Sequence, residues 1–324
     1  LFPIKDGKWF IQRSNLGNTG ADFYIADNPK YGVTMTYHLS SSYETKSEKR
    51  KKNEMRLNQK LLNVPFPGYD SLDMEKNEIP AYIKISIEDD NGNIIRHIKE
   101  RARNGTHRIT WDLRHMFKGS VTDSNKKYNL RGPIVKPGKY NATLYLVEGG
   151  STTKLSEKKS FELKPIYEST LKGTNFEDYN EYVNNYFKVY NDVELVEHTL
   201  ETFDEKIKSL KIAIDNTPRE AIELVSDFQN LKNSFLTIKR KVLGNKSKME
   251  IGEKNPPSLY NRIRVASQGL SSSYGPTKLH LENLDMARQM NEEIQSLFDN
   301  IVSKEIISLK NKIKTSGGPP IIED

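Results

Sequence analysis

Cysteine is absent from the 324 residues, which excludes disulfides, thiolate metal sites and a cysteine nucleophile. That absence leaves the compartment open, because a thiol-free chain is tolerated in either redox environment. No run approaches the roughly 18 uninterrupted apolar residues of a membrane-spanning helix. The histidines His38, His97, His107, His115, His198 and His280 are scattered, with no His-x-x-x-His pair, so a zinc site of ordinary spacing is missing and each reads as a surface or packing residue. The opening Leu1-Phe2-Pro3-Ile4-Lys5-Asp6 has neither an initiating Met nor the charged head and apolar stretch of a signal peptide. It reads as the start of a fragment, with any export signal upstream.

What is present is enough for about two domains at roughly 150 residues each. The chain is 35% hydrophobic and 29% charged, and its 12 Phe, 16 Tyr and 2 Trp supply core material that a disordered chain lacks. Basic residues outnumber acidic ones by 50 to 43. The surplus is concentrated between Glu44 and Lys60, where Lys46, Lys49, Arg50, Lys51, Lys52, Arg56 and Lys60 face only Glu44, Glu48 and Glu54.

From Ala21 to Leu163 the apolar residues recur mostly with a period of two. In Tyr82 to Glu88 the isoleucines Ile83, Ile85 and Ile87 share one face and Lys84, Ser86 and Glu88 the other, as in a strand with one face on a core. Asp90-Asn91-Gly92-Asn93 supplies the Asn-Gly pair of a tight hairpin, and Ile94 to Ile98 reads as the returning strand. Its resemblance to a calcium loop fails because Ile94 follows Asn93 and the required Gly and Glu are misplaced. Thr106 to Leu113 would bury Trp111 and Leu113 while Asp112 and Arg114 point outward to pair. Further strands are expected at Tyr31 to Leu39, Tyr140 to Val147 and a segment ending at Leu163, which together predict an antiparallel β-sandwich. Glu44 to Leu62 looks helical but has few apolar residues, so it is a solvated helix or a mobile insertion, broken by Pro65 and Pro67.

Past Pro165 the period becomes helical. Tyr179, Tyr182, Tyr186, Val189, Val193, Val196, Leu200, Phe203, Ile207, Leu210 and Ile214 are spaced by three and four, the seam of one helix on the order of 50 Å long. Thr174 to Glu177 reads as its capping box, and Thr217-Pro218-Arg219-Glu220 as the start of the next helix. That second helix presents Ile222, Val225, Phe228, Leu231, Phe235, Ile238 and Val242; a short one follows with Leu259, Ile263, Ala266 and Leu270. A last one carries Leu281, Leu284, Ala287, Ile294, Leu297, Ile301 and Leu309 to about Ile313. The predicted fold is therefore α+β and multidomain: a linker over 1–20 and an immunoglobulin-like antiparallel β-sandwich over 21–168 with its insertion at about 44–62. An antiparallel α-helical bundle over 169–314 and a tail over 315–324 complete it.

Several motifs occur in an order that resembles a known family. They are Asn15-Leu16-Gly17-Asn18-Thr19-Gly20, Asn28 to Leu39, Val64-Pro65-Phe66-Pro67-Gly68-Tyr69, Asp90 to Arg96, Gly105 to Arg114, Val135 to Tyr140, Pro256-Pro257-Ser258-Leu259-Tyr260 and Pro276-Thr277. The chain is similar to the C-terminal region of bacterial exported proteins with sortilin-type or BNR-repeat β-propellers, often labelled glycosyl hydrolases. The resemblance implies an immunoglobulin-like sandwich and a helical segment following a propeller, and an exported location. Propeller repeats are missing here, so no catalytic or ligand residue is carried over.

The expectation is a non-catalytic accessory segment that packs on the upstream propeller and meets a protein partner, or a second copy, through its helices. No catalytic, cofactor-binding or metal residue and no cofactor is assigned. The acids Glu194, Glu197, Glu201 and Glu205 fall mainly between seam positions, on a solvated face. Two alternatives stand beside it: part of a glycan-hydrolysing enzyme whose active site lies in the propeller, and a polyanion-binding module using the basic 46–60 segment. That segment has no aromatic residue for base stacking, which argues against nucleic acid.

Overall fold

A computed structural model describes residues 1–12, 29–121, 131–167, 170–218 and 222–321. The motif at residues 15–20 and part of the expected cap at 217–220 lie outside them. The chain divides into two compact units: Leu1–Phe117 with Asn129–Thr170, and Lys118–Tyr128 with Leu171–Asp324. The first is a β region and the second is helical, so the α+β order holds.

The β unit contains β1 (Gly7–Trp9), β2 (Val33–Leu39), β3 (Tyr82–Asp89), β4 (Ile94–Arg101), β5 (Gly105–Trp111), β6 (Gly138–Glu148), β7 (Ser151–Lys154) and β8 (Lys159–Pro165). Two helices, α1 (Lys46–Gln59) and α2 (Tyr69–Lys76), are inserted between β2 and β3. The larger sheet runs β1-β8-β6-β3-β4 with β7 also on β6, and β2 pairs with β5 in a second sheet. The expected all-antiparallel pairing is corrected at one edge. Gly7–Trp9, inside the stretch read as a linker, pairs in parallel with Leu163 to Pro165 of β8. Three residues give no periodicity, so this strand has no sequence signal.

Strand β3 is central, with β4 and β6 on either side. Its alternation explains why: Ile83, Ile85 and Ile87 are buried against the core with Met35, Tyr37, Leu144 and Leu163. Trp111 joins the two sheets, its ring centroid 5.3 Å from Tyr140 and 6.1 Å from Phe161. The hairpin after β3 closes on Asp89, whose carboxylate accepts from Asn93 N at 2.8 Å and Asn93 Nδ2 at 3.0 Å, while Gly92 takes φ +81°. Arg114 does not pair with Asp112; its guanidinium donates to the Gly132 carbonyl at 3.0 Å. The proline-rich break at 65–67 is followed by α2, which its short length hid in the sequence.

On the other face of the sheet, His97, Ser86 and Thr143 form one cross-strand row. Nδ1 of His97 and Oγ1 of Thr143 are buried without a hydrogen-bond partner among the described residues. Burial lowers the His97 pKa, Lys84 and Lys99 add repulsion, and Glu88 opposes them. The unfolded imidazole, near 6.5, therefore binds protons that the folded one refuses. Stability present above that value is expected to be lost as pH falls through it toward the folded pKa. A His97→Gln variant should show a flatter melting temperature between about pH 7.5 and 5 than wild type; identical slopes would remove His97 as the cause.

The helical unit holds α3 (Phe176–Asp215), α4 (Ile222–Leu243), α5 (Lys246–Glu250), α6 (Leu259–Gln268) and α7 (Lys278–Asn300). A π-helical segment, Ile301–Ile306, leads into α8 (Ile307–Thr315). Among the described residues, no helix is long and apolar enough to cross a membrane. Helix α3 has 40 residues, about 60 Å at 1.5 Å each, and packs on α4, α6, α7 and α8. Its cap is Asn175 rather than Thr174, because Thr174 is engaged elsewhere: its N–H donates to Tyr274 O at 2.8 Å and its hydroxyl to Pro276 O at 3.3 Å. Tyr179, Tyr182 and Tyr186 are buried, as their place in the seam predicts. The Tyr182 hydroxyl donates to Ala266 O at 2.6 Å, tying α3 to the end of α6.

Two seam assignments change. In α4, Leu224 is buried and Val225 is 62% exposed, because Leu224, Phe228, Leu231, Phe235, Ile238 and Val242 keep strict four-three alternation and Val225 breaks it. In α7, Leu281 is exposed and the seam runs through Leu284, Ala287, Asn291, Ile294, Phe298 and Ile301. The next position would be Glu305. The wider π turn inserts one residue, so Ile306 takes the buried place and Leu309 and Ile313 follow in register.

Candidate functional site

The inserted helices α1 and α2 are clamped to one another by ions rather than by a core, since neither has a buried residue. Arg50 donates from Nε and Nη2 to both oxygens of Glu75 at 2.8 Å and from Nη1 to Glu54 at 2.6 Å. This fork geometry suits a planar guanidinium. Its hydrogen bond holds the Glu75 carboxyl below the usual carboxylate range. The start of α1 is a reciprocal capping box, Glu48 N to Thr45 Oγ1 at 3.1 Å and Thr45 N to Glu48 Oε2 at 3.0 Å. Glu78 also accepts from Lys46 N at 2.7 Å.

Between these helices and the β4–β5 turn lies a cavity of about 760 Å³. Its far wall is the turn at Arg101 to Asn104, held by Asn104 Nδ2 to Ser40 O at 2.6 Å, Tyr43 N to Ala102 O at 3.0 Å and Gly105 at φ +106°. The charges lining it are Glu44, Glu48, Glu75 and Glu78 against Lys51, Lys52, Arg101 and Arg103. All four carboxylates are already occupied. Glu44 pairs with Lys52, Glu48 closes the cap, Glu75 grips Arg50 and Glu78 takes the Lys46 amide. Lys51, Arg101 and Arg103 make no ion pair among the described residues; Glu48 and Glu78, bonded to backbone amides, keep their charge, and Arg101 and Arg103 face Glu48 at longer range. The Glu48 carboxyl is held low chiefly by the Thr45 amide, with Arg101 and Arg103 adding attraction.

The basic 46–60 segment does form a solvated helix, but only part of its charge is available: Arg50 and Lys52 are spent inside the insertion. Arg101 and Arg103 escaped sequence reasoning because they belong to a different strand end, and only the fold brings them opposite α1. Their one signal is the Arg101-x-Arg103 pair before the Asn104-Gly105 turn.

The histidines stay dispersed: His38 meets Thr106 Oγ1 at 3.1 Å, His107 meets Arg103 O at 2.8 Å, and His280 closes the Thr277 cap of α7. Among the described residues no group of three or more His, Asp or Glu is placed to hold a metal ion. The acidic ridge of α3 is not wholly solvated, since burial and the neighbouring Glu194 and Glu201 raise the Glu197 pKa. No protein-family model, curated protein or solved structure matches the chain, so what the groove can do rests on its own chemistry.

Proposed function

We propose that this chain is a non-catalytic interaction segment whose β unit takes an acidic ligand in the groove between α1 and the β4–β5 turn. The observation that carries this reading is that Lys51, Arg101 and Arg103 line the concave wall without an ion-pair partner among the described residues, while Glu44 and Glu75 are held by Lys52 and Arg50. Concave cationic surfaces concentrate anions from solution. The wider frame is also ours: an exported protein in which an immunoglobulin-like sandwich follows a β-propeller and an antiparallel helical bundle meets a protein partner or a second copy. The resemblance in motif order supports the first part. Contacts that run in opposite directions, Tyr179 with Leu270 and Tyr182 with Ala266, and Asp227 with Lys312 and Lys241 with Glu293, together with exposed Leu195 and Ile212 on α3, support the second.

Heparin serves as the polyanion probe. Titration at several salt concentrations should give a log–log slope of roughly −3, at about −0.9 per neutralised charge by the duplex-DNA rule. The triple variant Lys51→Gln, Arg101→Gln, Arg103→Gln should bind at least about tenfold more weakly with a flatter slope, while its circular dichroism stays that of wild type. Equal binding by the folded variant would refute the groove as the site.

A further inference from the structure

A second cavity, of about 410 Å³, lies wholly within the helical unit and belongs to none of the features above. The last turn of α4 places Thr237, Arg240 and Lys241 on one face, at i, i+3 and i+4. Gly244 then ends the helix at φ +88°, with its N–H on Arg240 O at 2.8 Å. This break turns the chain so that α5 brings Lys248 back to the same hollow. The returning loop is fixed by Asn255 Nδ2 to Asn245 O at 3.2 Å, and by the Ser258–Asn261 capping box that opens α6.

Three cations and no carboxylate line this wall. Lys241 is paired with Glu293 at 2.8 Å, outside the wall, and Lys248 stands 3.9 Å from Glu253. Arg240 makes no ion pair among the described residues. Cations near the end of α4 do compensate its carbonyl dipole. That accounts for Arg240 and Lys241, but not for Lys248, which arrives from another element, nor for the hollow they share. Glu293 and Glu253 partly compensate Lys241 and Lys248, so Arg240 is the charge that an anion in the hollow meets unpaired, with the two lysines beside it. The rest of the wall is polar at Thr237, Asn245, Asn255 and Ser258 and apolar at Pro256, Pro257 and Met290.

We propose that this cavity binds a small organic phosphate, its dianionic head between Arg240, Lys241 and Lys248 and its apolar body against Pro256, Pro257 and Met290. The apolar strip is what separates this ligand from a free inorganic ion. The proposal is independent of the groove in the β unit.

Isothermal titration of the full chain at constant ionic strength, with phenyl phosphate, inorganic phosphate and phenol as probes, tests it. Phenyl phosphate should bind about tenfold more tightly than inorganic phosphate, and phenol not at all. The Arg240→Gln, Lys248→Gln variant should weaken phenyl phosphate by at least about tenfold. Met290→Ser should bring phenyl phosphate down to the inorganic level and leave inorganic phosphate unchanged. Thermal melting accompanies each variant, and a pair of single variants replaces the double one if it melts early. The proposal is overturned if no heat exceeds that of matched chloride, or if folded Arg240 and Lys248 variants bind as wild type does. It is also overturned if binding is lost instead in the Lys51, Arg101, Arg103 variant, which would assign it to the other groove.

Discussion

Replacing Leu200 by Asp is expected to unfold the helical unit. Leu200 is 4% exposed on α3, one turn before Phe203, whose ring lies 5.8 Å from Phe235 of α4 and 5.1 Å from Phe298 of α7. Three helices therefore meet at this level. Removing a buried leucine side chain costs about 2–5 kcal/mol. An unpaired carboxylate in its place adds a desolvation cost of at least a few kcal/mol more. The total is comparable to the whole net stability of an ordinary domain, about 5–15 kcal/mol. Circular dichroism at 222 nm during thermal melting should show loss of most helical signal at temperatures where wild type is folded. Leu200→Ala, carrying only the cavity term, should lower the melting temperature without that collapse. A Leu200→Asp protein that melts like wild type would mean the seam is not packed as described.

The second large effect is expected at Trp111. It is fully buried, packs edge-on against Tyr140 and Phe161, and its indole N–H donates to Arg114 O at 3.0 Å. Trp111→Ala removes the side chain through which β5 reaches β6 and β8, and should cost the β unit about 3–5 kcal/mol. Trp111→Phe keeps the aromatic contacts but forfeits the hydrogen bond, so a smaller loss of about 1–3 kcal/mol is expected. Denaturant unfolding followed by near-ultraviolet circular dichroism measures both. An alanine variant within about 1 kcal/mol of wild type would show that the two sheets are held together by other contacts.

The charges of α1 show how a sequence signal can be correct in kind and misleading in amount. Seven basic residues in one stretch read as a field for polyanions. The fold spends Arg50 and Lys52 on Glu75, Glu54 and Glu44, and replaces them with Arg101 and Arg103 from a strand end about 50 positions away. Net charge along a segment is additive in sequence, whereas the charge a ligand meets depends on which partners are within hydrogen-bonding reach.

Read on its own, the chain of residues determined several features whose cause is local. The alternation in β3, the Asn-Gly hairpin and the three-four spacing of α3 depend only on neighbours within a turn or a strand, so they are visible without coordinates. Tertiary structure alone decided the rest. It set the parallel pairing of β1 with β8, the shift of the α3 cap to Asn175 and the π turn that moves Ile306 into the seam past Glu305. Each of these is chosen by groups far apart along the chain competing for the same hydrogen bonds or the same buried volume, and no periodicity records the outcome of such a competition.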